Sequence, residues 1–169
     1  MNRLIISAFG PDKPGIVSEL SGVITSHGGN VEESRMIKLG SDFTIILLVT
    51  VSNEWLESLR VALQAVQVLT ISTKLTTKED SYVRDNSYNL TLTGADNEGI
   101  VHKVTEYLSS QAINIEEMET ETTNAPVSGI ALFQMKAAIS LSDNLQVSEI
   151  QAELQQIASD LGVEISLGD

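Results

Sequence analysis

The chain has 169 residues, of which 42% are hydrophobic and 20% charged, a composition typical of one globular domain or two small ones. Its net charge of −13 disfavours direct binding to nucleic acid. The absence of cysteine excludes disulfides, thiolate metal sites and thiol catalysis. No apolar run approaches the roughly 20 residues that span a bilayer, so we expect a cytoplasmic protein without membrane contact.

An internal repeat organises the chain. Between Leu4 and Glu33, nine positions are identical to those 84 residues further on, without a gap. Chance would give about two such identities, so the chain is a tandem duplication. The identical positions of the first copy are Gly10, Asp12, Gly15, Ile16, Val17, Ser26, Asn30, Glu32 and Glu33.

The first copy contains six predicted elements. Asp12 before Pro14 and Gly15 is typical of a helix start, because Asp is a favoured N-cap and Pro suits a first turn. Gly28-Gly29 is expected to stop that helix. In chain order we predict a strand at Leu4–Phe9, a helix with an apolar stripe from Ile16 to Ile24, strands at Asn30–Lys38 and Phe43–Val51, a helix along Leu56–Val66 and a strand at Val68–Thr73.

The second copy repeats this order. Its predicted elements are a strand at Tyr88–Thr93, a helix along Ile100–Leu108, strands at Asn114–Glu121 and Ile130–Ala138, a helix along Ile150–Leu161 and a strand at Val163–Leu167. Each copy is therefore β-α-β-β-α-β, the α+β ferredoxin-like arrangement. The predicted domains span residues 1–73 and 88–169, and the polar stretch 74–87 is predicted to be the linker.

The loop before each first helix has the chemistry of an amino-acid site. A helix N-terminus leaves backbone N–H groups free, and Gly15 or Gly99 lets a carboxylate approach them closely. Asp12 or Asp96 can accept an ammonium group, and the Asn that opens the second strand, Asn30 or Asn114, can donate and accept. Two plainer roles stay open: the Asp residues as N-caps and the Asn residues as turn formers.

Other polar residues suggest no further site. His27 and His102 are expected on the solvated surface. The four glutamates Glu116, Glu117, Glu119 and Glu121 could suggest a Ca²⁺ or Mg²⁺ site. Strand alternation places Glu117, Glu119 and Glu121 on one face, which favours a solvated face instead. No nucleophile elbow, phosphate-binding loop or zinc-protease motif occurs, so we expect no catalysis, no metal and no cofactor.

These motifs resemble a known family. The run from Gly10 to Val17, followed by Gly29-Asn30-Val31, resembles the signature of ACT domains, small ligand-binding modules with the same element order. The resemblance narrows to the glycine cleavage system transcriptional repressor family on further stretches in both copies. These are residues 32–36, 39–40 and 43 in the first copy and 125–129 and 132–135 in the second. The second copy departs from the pattern at Asn97-Glu98, which replaces Lys13-Pro14, and at Ala112-Ile113, which replaces Gly28-Gly29.

The resemblance implies that amino acids bind where two domains meet, with the two sheets side by side. The implied ligand-binding residues are Asp12, Pro14, Gly15, Ile16, Val17 and Asn30 in the first copy, and Asp96, Gly99, Ile100, Val101 and Asn114 in the second. It also implies glycine as the ligand and a transcription activator as the protein partner. Homodimer formation stays open. We expect the working pocket in the first copy, which retains Pro14 and both glycines of the helix stop.

The charge distribution argues for action through a protein. Residues 1–83 carry seven Lys and Arg against nine Asp and Glu, a net of −2, whereas residues 84–169 carry three against fourteen, a net of −11. Neither half contains a basic helix, so we expect no specific DNA binding by the chain itself. Two other functions stay open: an interaction scaffold with vestigial pockets, and a small hydrolase or transferase that uses the acidic strand of the second copy.

Overall fold

The structure, a computed structural model, describes residues 1–77, 86–124, 129 and 131–168 and divides into unit 1, Met1–Ser81, and unit 2, Tyr82–Asp169. Unit 1 contains β1 (Asn2–Pro11), α1 (Ile16–Ser26), β2 (Asn30–Leu39), β3 (Asp42–Val51), α2 (Leu56–Gln64) and β4 (Thr70–Thr76). Unit 2 contains β5 (Ser87–Ala95), α3 (Ile100–Ser110), β6 (Asn114–Asn124), β7 (Ala131–Ser140), α4 (Val147–Leu161) and β8 (Val163–Gly168). The predicted element order and α+β class are confirmed.

The strands extend further than the sequence predicts. Lys74 belongs to β4, which runs on to Thr76, and Ser87 begins β5, so both ends of the predicted linker are strand. Residues 78–85, the middle of that linker, lie outside the described residues. So do residues 125–128, which belong to the connection between the predicted strands Asn114–Glu121 and Ile130–Ala138, and residue 130, where the second of these is predicted to begin. No helix in the described ranges is long and apolar enough to cross a bilayer.

Each unit forms one antiparallel sheet, with the strand order β2-β3-β1-β4 in unit 1 and β6-β7-β5-β8 in unit 2. Alternate residues of β1, such as Leu4 and Ile6, are buried with Leu20 and Ile24 of α1 in the core of unit 1. The residues between them, such as Ile5, lie on the opposite side of the sheet. We call this side, away from the unit's own helices, the open face.

Gly10 and Gly94 are required by close packing within each unit. A Cβ atom at Gly10 would lie 2.5 Å from the carbonyl oxygen of Val68, and one at Gly94 would lie 2.5 Å from Cγ1 and 2.9 Å from Cα of Val163. The chain leading into the last strand therefore passes too close to β1 or β5 for any side chain. Packing therefore explains why both copies of the repeat have glycine at this position.

The first helix of each unit begins differently from the prediction. The N-cap of α1 is Gly15 with φ 91°, and that of α3 is Gly99 with φ 84°. The prediction of Asp12 and Asp96 as N-caps is wrong, because each lies three residues before the cap. Both glycines adopt the left-handed conformation, which side chains other than glycine rarely take.

The end of that helix is also shared by both units. Gly28, with φ 64°, follows α1, and Ala112, with φ 54°, takes the equivalent place after α3. Unit 2 therefore keeps the backbone turn that ends the helix, although Ala112-Ile113 replaces the two glycines. A left-handed alanine costs roughly 1 kcal/mol relative to glycine, so unit 2 keeps the turn at a cost in stability.

Candidate functional site

A groove in unit 1 lies at the start of α1. Its volume is about 550 Å³ and it is open to solvent. It is lined by Asp12, Lys13, Gly15, Ile16, Val17, Ser18, Ser21 and Phe43, which include four of the six residues expected to bind ligand in the first copy. The fifth, Pro14, is exposed in the adjoining turn. The groove therefore coincides with most of the predicted loop site.

The helix start leaves donors available in this groove. Ile16 N–H donates weakly to the Lys13 carbonyl at 3.4 Å, and among the described residues no side chain caps α1. A Cβ at Gly15 would meet nothing within 4 Å, so the space beside the first turn is open. Ile16 is buried, with 6% of its surface exposed, whereas Val17 is 36% exposed. The first-turn amides can thus receive an anion, since they carry the positive end of the helix dipole.

Asp12 supplies a negative charge at the rim of the groove. Its Oδ2 lies 2.7 Å from Nζ of Lys38; the Lys38 side chain is 59% exposed and the Asp12 side chain 36% exposed. Sequence reasoning missed Lys38, because only the β2–β3 register places it opposite Phe43, on the side that faces the helices. A helix start that can receive an anion and a carboxylate–lysine pair therefore lie side by side, an arrangement that suits a zwitterion.

Asn30 does not belong to this groove. In the β2–β3 register it lies opposite Thr50, whereas Lys38 lies opposite Phe43. Eight residues of strand separate Asn30 from Lys38, about 26 Å at the usual rise per residue. Within unit 1, the structure therefore separates Asn30 from the other predicted ligand-binding residues.

Asn114 in unit 2 lies at the corresponding distant end and takes part in internal bonding. Its Nδ2 donates to Oε1 of Glu116 at 2.6 Å, and the Oγ of Ser140, which is 1% exposed, donates to the same oxygen at 2.7 Å. The equivalent carboxylate in unit 1, Glu32, instead pairs with Arg3 at 3.1 Å. Both carboxylates lie at a bulge of their edge strand, so this role is structural.

The loop of unit 2 repeats the backbone of unit 1 with different surroundings. Asp96 N–H donates to the Ala131 carbonyl at 3.1 Å, as Asp12 N–H donates to Ser41 at 3.0 Å. Asn97 Nδ2 donates to the Leu161 carbonyl at the end of α4, which ties the loop to that helix. The position equivalent to Lys38 is Thr122, opposite Phe133. As in unit 1, the first residue of the helix is buried and the second is partly exposed: Ile100 is 2% and Val101 37% exposed.

Unit 2 has a groove of about 470 Å³ in another place, along its edge strand β8. It is lined by Thr91, Thr93, Gln155, Ala158, Ser159, Val163, Glu164, Ile165 and Ser166, none of them predicted to bind ligand. Within it, Gln155 Nε2 donates to the Ile165 carbonyl at 2.6 Å. The predicted residues of unit 2 are therefore not gathered around this groove.

The remaining sequence candidates are surface or packing residues. His102 is exposed, as expected. His27 is half-buried, donates from Nδ1 to the Val23 carbonyl at 2.8 Å and packs edge-on against Trp55, so the expectation of a solvated side chain is wrong. The glutamates of β6 are exposed, and within the described ranges no group of three or more potential ligands could hold a metal ion.

Comparison with known proteins identifies the fold and its relatives. The family model of the ACT domain matches residues 2–75. The glycine cleavage system transcriptional repressor of Escherichia coli K12 is 26% identical, with 97% of this chain and 88% of that protein covered. A solved structure of an unknown protein from Galdieria sulphuraria is 34% identical with a TM-score of 0.87, covering 99% of this chain and 97% of that one. A second solved structure, of a proposed repressor of the same system, is 23% identical with a TM-score of 0.73 over 99% and 96% of the chains, which shows the shared fold.

Proposed function

With the ACT-domain match over residues 2–75 as the premise, we propose that the chain is a non-catalytic regulator that binds a small amino acid at the start of α1. The observation that carries this proposal is the uncapped helix start beside the Asp12 carboxylate in the unit 1 groove. The ACT match spans residues 2–75, so it includes every residue of that groove. ACT domains generally bind amino acids, and the groove has the charges that such a ligand needs.

The ligand's two charged groups have separate partners in this proposal. Its carboxylate accepts hydrogen bonds from the first-turn amides near Gly15, where no side chain stands in the way. Its ammonium group binds Asp12 and displaces Nζ of Lys38. That displacement costs little, because an exposed ion pair contributes at most about 1 kcal/mol. Lys38 is then free to turn towards the ligand carboxylate.

Glycine is the proposed ligand, and a transcription activator is the proposed partner. Both are what the family resemblance implies, and the 26% identity to the Escherichia coli repressor of the glycine cleavage system supports that resemblance. Fourteen acidic against three basic residues from Tyr82 onwards disfavour contact with DNA, so we propose that regulation works through the protein partner. We therefore propose the cytoplasm as the compartment in which the chain acts.

The experiment is calorimetric titration of the full chain with the standard amino acids, followed by the variant Asp12→Ala. We expect saturable binding of glycine or another small amino acid. Because Asp12 caps no helix, Asp12→Ala should leave the melting temperature almost unchanged. Loss of a charged partner for the ammonium should weaken binding at least about tenfold.

The matched control is Asp96→Ala, which removes the equivalent carboxylate from unit 2. Binding that survives Asp96→Ala and is lost in Asp12→Ala supports the unit 1 site. The reverse result would place the working site in unit 2 and overturn the assignment. Silence with every standard amino acid would overturn the sensor itself and favour the interaction scaffold.

A further inference from the structure

The open face of unit 1 carries an apolar stripe. Phe9 and Ile37 are each 53% exposed and Ile46 is 46% exposed, while Ile5 and Leu48 beside them are half-buried. The register places Ile5 opposite Leu48, and it places Phe9 and Ile37 on either side of Thr44. Side chains that face one another across strands share one face of the sheet. The five apolar residues therefore form one continuous surface, which we call the apolar stripe.

Unit 2 shows that the fold does not require this stripe. The residues at the five equivalent register positions are Asn89, Thr93, Glu121, Lys136 and Ala138. Four are polar or charged and the fifth is small. Since the same sheet forms with a polar open face, the exposed apolar residues of unit 1 are not needed for folding. A contiguous exposed apolar patch marks an interaction surface.

We propose that the apolar stripe is the interface with a second copy of this chain, formed by the open faces of two unit 1 sheets packed together. A two-fold axis makes one patch meet itself, so apolar residues meet apolar residues. Two sheets packed in this way form the aligned β-sandwich that buries one face of each. The proposal is independent of amino-acid binding, because the stripe lies on the side of the sheet away from α1.

The size of the face fits a weak but specific dimer. Four strands about 4.8 Å apart and ten residues of about 3.3 Å each give a face of roughly 19 by 33 Å. Two such faces remove about 1,200 Å² from solvent, the lower end of the range for specific protein interfaces. We therefore expect a dissociation constant in the micromolar range.

The charges beside the stripe are self-complementary. Glu33 and Arg35 lie two residues apart on β2, opposite Leu48 and Ile46, point to the open face and pair with each other at 3.3 Å, so a second copy would exchange these partners. A two-fold axis between them brings the carboxylate of one copy opposite the guanidinium of the other. Unit 1 also has a net charge of only −2, compared with −11 for unit 2, so association through unit 1 has the smaller electrostatic cost.

Sedimentation velocity of the full chain over a concentration series tests the proposal. The informative variants replace an apolar residue of the stripe with the charged residue found at the equivalent position of unit 2. Ile46→Lys introduces the counterpart of Lys136, and Ile37→Glu introduces the counterpart of Glu121. Each places a charge in the apolar interface and should raise the dissociation constant at least about tenfold. The matched control is Val61→Lys on α2, an apolar residue 67% exposed on the helix side, which should leave the dimer intact.

Three results would overturn the proposal: a wild-type chain that stays monomeric up to about 100 μM, a dimer that survives both open-face variants, or a dimer lost in Val61→Lys. Far-ultraviolet circular dichroism establishes that each variant is folded. Ile46→Lys should still bind amino acids, and Asp12→Ala should still dimerise. These crossed measurements distinguish failure of the interface from failure of the ligand site.

Discussion

Unit 1 and unit 2 share the same backbone arrangement, but their open faces differ in polarity. Gly10 and Gly94 admit the same close approach, and Gly15 and Gly99 have the same left-handed conformation. On the open face, by contrast, Phe9 corresponds to Thr93. The glycines that the backbone requires are therefore the same in both units, whereas residues of the open face, which the backbone does not require, differ. The positions that differ are where the two units have been free to acquire separate functions.

This comparison changes the meaning of the identities in the repeat. The shared glycines are accounted for by backbone conformation and packing alone. Asp12 and Asp96 are different, because neither caps its helix and the bond each makes to the neighbouring loop comes from its backbone N–H. The ion pair with Lys38 accounts for a carboxylate in unit 1 alone, because Thr122 stands in place of that lysine in unit 2. The shared Asp is thus the identity that argues most directly for a ligand.

The largest expected effect tests the packing that both units share. Gly10→Ala places a Cβ against the Val68 backbone, and Gly94→Ala places one against Val163, so each should lower the free energy of unfolding by about 3 kcal/mol. Trp55, the single tryptophan, lies in unit 1 and reports on that unit alone. In denaturant titrations, Gly10→Ala should shift the tryptophan fluorescence transition and Gly94→Ala should leave it in place.

Equal shifts of the tryptophan transition in both variants would contradict this prediction. They would mean that the two units unfold as one cooperative structure. A circular dichroism titration, which follows both units together, supplies the control. It should show an early transition in either variant.

A smaller effect separates the two bulge carboxylates. Glu116→Ala removes an acceptor shared by Asn114 and the buried Ser140 and should cost about 1.5 kcal/mol. Glu32→Ala removes a partly exposed ion pair with Arg3 and should cost no more than about 0.5 kcal/mol. Urea unfolding of both variants measures the difference. A larger loss for Glu32→Ala than for Glu116→Ala would contradict it.

A further effect has opposite signs in the two units. Gly28→Ala introduces a left-handed alanine after α1 and should destabilise unit 1 by about 1 kcal/mol, whereas Ala112→Gly relieves one after α3 and should stabilise unit 2 by a similar amount. Thermal melts followed by circular dichroism, with tryptophan fluorescence for unit 1, detect both changes. Stabilisation by Gly28→Ala, or destabilisation by Ala112→Gly, would show that the strain argument is wrong.

Much of the fold was predictable because hydrophobic periodicity and the repeat agree. Both sheets and all four helices follow from apolar spacing, with strand ends wrong by a few residues because the ladder continues into polar positions such as Thr76. The helix start was not predictable from local preferences, since Asp12 has the features of an N-cap while the left-handed Gly15 acts as one. Only φ angles distinguish the two.

The candidate site was predicted in part for a related reason. Residues near Gly15 are close in sequence and remain close in space. Asn30 was grouped with them through a sequence motif, but the antiparallel pairing of β2 with β3 carries it to the far end of the sheet. Lys38 reaches Asp12 through the same pairing. Contacts that depend on strand register are visible only after the register is known.

The bond from Gln155 to the Ile165 carbonyl has a consequence for duplicated proteins in general. A chain with two sheets has more than one unpaired strand edge, and edges that all accept a neighbour permit open-ended filaments. Gln155 of α4 occupies the backbone carbonyl of Ile165 on the edge strand β8. An added strand would compete with Gln155 for this acceptor, so the edge is less favourable for strand addition. Open-ended filaments are then less able to grow through this edge. A protein with two sheet domains has more strand edges than a protein with one, so it has more need of such protection.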